Sequence, residues 1–113
     1  MGFSALELKK IDQVVGGMCQ RRNRPEFKDE LSLEYTVDGH DVVMFERRPA
    51  FRGPGVTDLP CAKLKFVRAT GGWHLYWMKR DLKWHGYEPL PSSDRLDQLV
   101  AEIDEDPNCC FFG

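Results

Sequence analysis

One stretch of the sequence, residues 71–91, holds all three tryptophans, two of the three tyrosines and two of the three histidines. From Trp73 onward, large apolar side chains alternate with His74 and Tyr76. Successive side chains of a strand point to opposite faces, so we assign Trp73 and Trp77 to the core. A turn at residues 79–81 leads into a second strand, and the stretch predicts a β-hairpin. If Trp77 and Trp84 anchor the core, replacing either with alanine costs about 3–5 kcal/mol.

The N-terminal residues predict a helix over about residues 4–23. Ser4 and Glu7 have the spacing of a capping box, and Pro25 would close the helix. Gly16 and Gly17 interrupt it, and each should cost about 1 kcal/mol relative to alanine. We expect these glycines to allow close approach of the helix backbone to a sheet, and a hinge at a functional cleft is the alternative. The buried stripe of this helix is Leu8, Ile11, Val15 and Met18.

After this helix the period of the apolar residues changes to two, which is typical of half-buried strands. Asp38-Gly39 provides a hairpin turn between the first two strands. Residues 49–60 hold three prolines and two glycines and are predicted to form a long irregular loop. A last helix is predicted over about residues 93–105. The predicted strands cover about residues 30–37, 41–48, 61–68, 73–79 and 82–87.

These elements predict an α+β fold in a single domain, residues 1–113. The N-terminal helix, an antiparallel meander of four or five strands and the C-terminal helix follow in that order. Both helices are amphipathic and need an apolar surface, so we place both on one face of the sheet. The other face is then exposed, and we expect any function to lie there.

Composition narrows the class of protein. The longest apolar runs, such as Val42 to Phe45, are too short for a membrane span or a signal-peptide core, so we expect a cytoplasmic protein with no membrane contact. The four cysteines show no C-x-x-C spacing, and we expect reduced, mostly buried thiols rather than a metal site or disulfides. The pI of about 5.9 argues against a dedicated nucleic-acid binder.

The charge is nevertheless uneven along the chain. Residues 61–89 carry six basic and two acidic side chains, whereas residues 90–113 carry one basic and six acidic. This split can indicate a basic sheet face with aromatic rings, on which nucleic acid or another polyanion binds, and it is equally consistent with attraction between the two regions within one fold. Arginines beside the long loop are further candidates for contacts: Arg47, Arg48 and Arg52. The candidate residues of the face are Lys63, Lys65, His74, Tyr76, Lys83, His85 and Tyr87.

Two other hypotheses remain open. An enzyme could use His85 with Glu46, Glu88 or His74, or a metal could bind between His74 and His85, but two histidines make at most half of a zinc site. No nucleophile elbow, phosphate loop or metalloprotease motif is present, so we name no catalytic residue and expect no cofactor. The third hypothesis is a protein-interaction module, monomer or homodimer, that offers a sheet edge or the Phe111-Phe112 tail.

Several local patterns occur in an order that points to a known family. They are the capped helix, the acidic start of the first strand at Asp29-Glu30, Phe45-Glu46-x-Arg48-Pro49, Trp73-x-Leu75-Tyr76-Trp77 followed by Lys83-Trp84-His85-x-Tyr87, and Asp104-x-Asp106-Pro107 before an aromatic-glycine end. Over nearly its whole length the chain resembles a small uncharacterised bacterial family, a domain of unknown function. Phe112 stands where that family would have tryptophan. The resemblance implies the fold and a cytoplasmic setting, and it implies no activity.

Overall fold

The computed structural model describes residues 2–23, 31–50 and 52–112. It confirms the α+β class: an N-terminal helix, a mostly antiparallel sheet and a C-terminal helix. The N-terminal helix is continuous and consists of α1 (Ala5–Ile11), a π-helical segment (Asp12–Gly16) and α2 (Gly17–Arg22). The other elements are β1 (Ser32–Asp38), β2 (Asp41–Pro49), β3 (Val56–Val67), β4 (Gly72–Met78), β5 (Trp84–Gly86), β6 (Ser92–Ser93) and α3 (Leu96–Glu105).

The start of α1 is set by the predicted capping box. The Ser4 hydroxyl accepts the Glu7 N–H at 3.2 Å, and a Glu7 carboxylate oxygen accepts the Ser4 N–H at 2.8 Å. Gly16 is buried, and a Cβ there would lie 3.5 Å from Cε1 of Tyr35 on β1, so the predicted close approach to the sheet is found at this glycine. The expected helix end at Pro25 and the start of the first strand at residue 30 lie outside the described residues.

Five strands form an antiparallel meander in chain order, and the short β6 pairs with β4 beside β5. The N-terminal helix and α3 both pack on one face of this sheet, as their amphipathic patterns predict. One buried cluster joins Ile11 and Met18 of the first helix, Leu99 of α3, and Leu64 and Leu75 of the sheet. The opposite face has no helix over it among the described residues. No described helix is both long and apolar enough to traverse a bilayer.

The prediction of an irregular loop over residues 49–60 is wrong, because β2 and β3 continue as a long hairpin. Their pairing extends to Pro49 opposite Val56, and the Ala50 N–H bonds to the Gly55 carbonyl at 3.1 Å. The register shifts between Met44 and Phe45, and Pro60 lies opposite Phe45 at that irregularity. Proline is tolerated in a sheet at edges and bulges, where its missing N–H is not needed. Prolines at such positions therefore do not end these strands.

The last predicted strand, residues 82–87, is also shorter than expected. The turn after β4 is longer than predicted, since the Leu82 N–H bonds to the Lys79 carbonyl and the Lys79 N–H to the Lys83 carbonyl. Leu82 adopts a positive φ of 62° and is 80% exposed. Regular pairing covers Trp84–Gly86 alone, and at Tyr87 the chain passes into the core.

The apolar C-terminal tail docks on the core. Asp106 ends α3 in the left-handed conformation, and its carboxylate accepts the backbone N–H groups of residues 110, 111 and 112 at 2.8, 3.0 and 2.9 Å. These bonds direct Phe111 against Tyr87, with ring centroids 4.9 Å apart. The guanidinium of Arg22 lies over the ring of Phe112. The tail thus joins the two helices to the end of the sheet.

Candidate functional site

The side of the sheet away from the helices brings together four of the predicted site residues. Lys63 pairs with Tyr76 and Lys65 with His74 across β3 and β4, and directly opposed residues share a face. Their alternation with buried Leu64 and Leu75 places them away from the core. We call the surface formed by Lys63, Lys65, His74, Tyr76 and Trp84 the open face.

Three other predicted members do not join this surface. His85 pairs with Trp77, so it lies on the helix side of the sheet. Tyr87 is fully buried, and its hydroxyl donates to Glu102 at 2.7 Å and accepts from the Asn108 amide at 3.0 Å. Lys83 is exposed in the turn before β5, not within a strand. Lys83 and Tyr87 are excluded because the turn takes up Lys83 and the chain leaves the sheet after Gly86. His85 is excluded because it lies opposite Trp77, on the face already assigned to the core.

Trp84 also belongs to the open face, although it was predicted to anchor the core. It pairs with Met78, and so it lies on the side of Tyr76 instead of anchoring the core. Trp77, on the other side, packs half-buried against the core cluster. The length of the hairpin loop indicates this placement of Trp84. Across a loop with an odd number of residues, even-numbered positions pair with even-numbered positions and odd-numbered positions with odd-numbered ones. The predicted and the observed turns both meet that condition, and both place Trp84 beside the face of Tyr76.

Lys63 is the centre of the open face. Its ammonium group lies 5.9 Å from the ring centroid of Tyr76 and 6.0 Å from that of Trp84. Both distances are at the outer limit of a cation–π contact, and the ammonium group lies near both rings. The two rings are half-buried, so part of each remains open to a ligand. This arrangement combines one cation with two surfaces for stacking.

An acidic residue partly neutralises the positive charge of the open face. Asp41 Oδ2 lies 3.8 Å from the Lys63 ammonium, and its other oxygen is buried with no hydrogen-bond partner in the described chain. Lys65 is exposed and forms no ion pair or side-chain hydrogen bond with a described residue. Lys65 is thus the cation most available to an anion, while Lys63 is shared among Asp41 and the rings.

The arginines near the long hairpin have local partners. Arg47 donates to both carboxylate oxygens of Asp58 at 2.9 and 3.3 Å, and this hydrogen bond is the main cause of the raised pKa of Arg47 and the lowered pKa of Asp58. Arg48 contacts Glu46 at 3.5 Å. Arg52 lies exposed in the turn. Arg47 therefore links β2 to β3, which is a structural role.

His74 and His85 lie on opposite sides of the sheet and cannot share one metal ion. His85 instead contacts Asp81, with Nε2 and Oδ2 2.9 Å apart, and this hydrogen bond is the main reason that the pKa of Asp81 is lowered. Its acidic partner is thus Asp81 and not Glu46 or Glu88. Within residues 2–23, 31–50 and 52–112, no group of three or more His, Cys, Asp or Glu side chains could hold a metal ion.

The thiols divide into two classes. Cys19 and Cys61 are buried, and burial is the main cause that raises their pKa values to about 11 and about 12. Cys109 is exposed and Cys110 partly so, which makes the chain less uniform than the expected set of mostly buried thiols. All four are free.

Searches of curated proteins and of solved structures return no significant match. A family model described as a domain of unknown function, DUF3024, matches residues 3–113. This match covers both helices and every strand of the sheet, and it confirms the resemblance to a domain of unknown function. The chain belongs to the DUF3024 family.

Proposed function

We propose that this protein is a non-enzymatic binding module that takes single-stranded nucleic acid on the open face. The observation that supports this most is the position of the Lys63 ammonium about 6 Å from the rings of both Tyr76 and Trp84 on an uncovered surface. Stacking of a base on an aromatic side chain contributes about 1–3 kcal/mol, and nearby cations attract the phosphates. Lys65 and Lys63 supply those cations on the neighbouring strand.

The acidic C-terminal region does not oppose this binding. The acidic residues of α3 belong to a helix packed on the other side of the sheet, so the sheet separates them from the open face. The binding should be modest, because the chain has a net charge of −2 and Asp41 competes with phosphate for Lys63. It should also be tolerant of sequence, since stacking rings accept every base.

Tryptophan fluorescence tests the stacking part of the proposal. Trp84 and Trp77 lie on adjacent strands but on opposite faces, so they form a matched pair. A mixed-sequence single-stranded oligonucleotide should quench the wild type and Trp77→Phe, and the quenching should disappear in Trp84→Phe. Equal quenching in both variants, or none in the wild type at low salt, would refute stacking on this face.

Charge substitutions test the electrostatic part. Lys65→Gln should weaken binding and lower the slope of log affinity against log salt by about 0.7, as expected for one lost phosphate contact. Asp41→Asn should strengthen binding about two- to fivefold, because it removes a negative charge beside Lys63. The matched controls are Lys9→Gln on α1 and Glu105→Gln on α3, both exposed on the helix side, and neither should change affinity. An increase with Glu105→Gln equal to that with Asp41→Asn would indicate a net-charge effect instead of a site.

A protein partner at the sheet edge is the second candidate. β1 ends the sheet, and the Asn23 amide bonds to both the N–H and the carbonyl of Leu33 at 2.7 and 2.9 Å. The outward backbone of Tyr35 and Val37 forms no backbone hydrogen bond with another described segment. An extended chain could pair there. Mass that rises with protein concentration in sedimentation, and falls with Val37→Lys, would favour this candidate over nucleic-acid binding.

A further inference from the structure

A concave site lies on the helix side of the sheet, away from the open face. It is a cavity of about 480 Å³ between the start of α1, the turn from β3 to β4 and the start of α3. That volume falls in the range of small-molecule sites. We propose that this cavity binds a free amino acid with an apolar side chain, held by its ring or alkyl group and by both of its charges. The proposal does not depend on the nucleic-acid hypothesis.

The floor of the cavity is aromatic. Trp73 is 8% exposed, and the Phe3 ring stacks on it with centroids 5.5 Å apart and planes 18° from parallel. Phe66 lies against the same indole at 5.0 Å. Ile11 and Leu96 close the sides. Such a surface favours a flat or branched apolar group and contributes little to binding of a free phosphate.

The rim carries charges, and most of them already have partners. Both oxygens of Glu7 accept hydrogen bonds from Arg68, at 3.0 and 3.2 Å, and Asp97 is paired with Arg95 at 2.9 Å. Arg68 lowers the pKa of Glu7 from 4.5 to about 2, so this carboxylate stays ionised and paired at neutral pH.

Two rim residues remain available, one of each sign. Lys10 and Asp94 both line the cavity, and neither forms an ion pair or a side-chain hydrogen bond within the described chain. Because both residues line one cavity, a ligand would place its carboxylate at Lys10 and its ammonium group at Asp94, and this would leave the charge of the rim balanced. An amino acid has these two groups on one carbon, next to its apolar side chain.

Four related probes separate these contributions. L-Phenylalanine carries the ring and both charges, phenethylamine lacks the carboxylate, 3-phenylpropionate lacks the ammonium group and L-alanine lacks the ring. Binding to the labelled protein is followed by NMR at the Gly71 and Leu96 amides and the Trp73 indole N–H, which surround the cavity. Each analogue should bind about fivefold or more weakly than L-phenylalanine, as expected when one exposed charge pair or the ring contact is lost.

Substitutions at the rim give a crossed pattern. Lys10→Gln should weaken the binding of L-phenylalanine about fivefold and leave the binding of phenethylamine unchanged, because phenethylamine has no carboxylate to pair with Lys10. Asp94→Asn should weaken L-phenylalanine similarly and leave 3-phenylpropionate unchanged. Lys9→Gln, one residue away and outside the cavity, is the control and should change nothing.

Three results would overturn the proposal. They are no shift at the three reporters with L-phenylalanine, equal affinity for all four probes, or equal loss with Lys9→Gln and Lys10→Gln. All of the rim residues changed are exposed, so the variants should fold, and circular dichroism checks this. Binding of an oligonucleotide to the open face has no bearing on any of these outcomes.

Discussion

Replacement of Gly16 with alanine tests how the π-helical segment is held against the sheet. The new Cβ would lie 2.8 Å from Oδ1 of Asp12 and 3.5 Å from Cε1 of Tyr35. The same Asp12 oxygen accepts a hydrogen bond from the Tyr35 hydroxyl at 2.7 Å. The methyl group must therefore displace the Asp12 carboxylate, and this displacement breaks the link between the helix and β1.

The expected change in stability is the difference of two effects. Alanine is favoured over glycine in a helix by about 1 kcal/mol. A hydrogen bond to a charged acceptor contributes about 1.5–3 kcal/mol, and the exposed Asp12 places this bond at the lower end. Gly16→Ala should therefore destabilise the protein by about 0.5–1 kcal/mol. Gly17→Ala, where the Cβ meets only the Arg21 Nη1 at an ordinary 3.5 Å, should stabilise it by about 1 kcal/mol.

Urea unfolding followed by circular dichroism measures both free energies of unfolding. The two substitutions are one residue apart, so a difference of about 1.5–2 kcal/mol in opposite directions is specific to the contact at Gly16. In an Asp12→Ala background the clash is absent, and Gly16→Ala should then become stabilising by about 1 kcal/mol. This cycle separates the contact with Asp12 from any general intolerance of the π segment.

The tyrosine provides an independent readout. Burial, followed by the hydrogen bond to Asp12, raises the pKa of Tyr35 to about 12 from 10.0. Its contribution to stability is complete below pH 10 and is lost as the pH rises toward 12. Gly16→Ala should lower this pKa in a spectroscopic titration. If Gly16→Ala stabilises the protein as much as Gly17→Ala does, and the pKa of Tyr35 is unchanged, then the contact with Asp12 is not the reason for glycine at position 16. The reasoning is then wrong.

Three further predictions concern the core, the capping box and the thiols. Tyr87→Phe removes the hydroxyl that donates to Glu102 and should destabilise the protein by about 1–3 kcal/mol in urea unfolding, whereas an unchanged midpoint would show that this bond contributes nothing. Glu7 contributes stability above pH 4.5 that is lost as the pH falls toward 2. Glu7→Gln should therefore reduce the dependence of the melting temperature on pH over that interval. An unaltered pH profile would contradict the pairing with Arg68. Cys19 and Cys61 should react with a thiol reagent at pH 8 only after denaturation, and rapid labelling of either, read by mass spectrometry, would contradict their burial.

The local elements of the fold follow from the sequence because their causes are local. The capping box needs only Ser4 and Glu7, which are three residues apart, and the structure contains both of its hydrogen bonds. The alternation around Trp73 places that residue in the core. The basic and aromatic pair of Lys63 and Tyr76 likewise follows from the period of two on neighbouring strands.

The errors concern residues whose position depends on loop length or on distant partners. Pro60 looked incompatible with a strand, yet it lies at a register shift that requires its partner strand to be in place. Trp84 lies on the open face because it pairs with Met78, and this pairing of even-numbered positions follows from the odd length of the loop, a relation that the assignment of Trp84 to the core overlooked. Tyr87 entered the core because Glu102 and Asn108, far along the chain, satisfy its hydroxyl.

The sequence by itself therefore determined the type and order of the main elements, the α+β class and the residues of the open face that lie on β3 and β4. Only the tertiary structure decided which charges are neutralised, with Lys63 beside Asp41 and Arg68 on Glu7, and which remain available at Lys65, Lys10 and Asp94. Hydrogen bonds within a turn and the periods of helix and strand act over a few residues and can be read from the chain. Pairing of charges and assembly of a cavity depend on segments far apart in the sequence, which meet only after the helices have packed on the sheet.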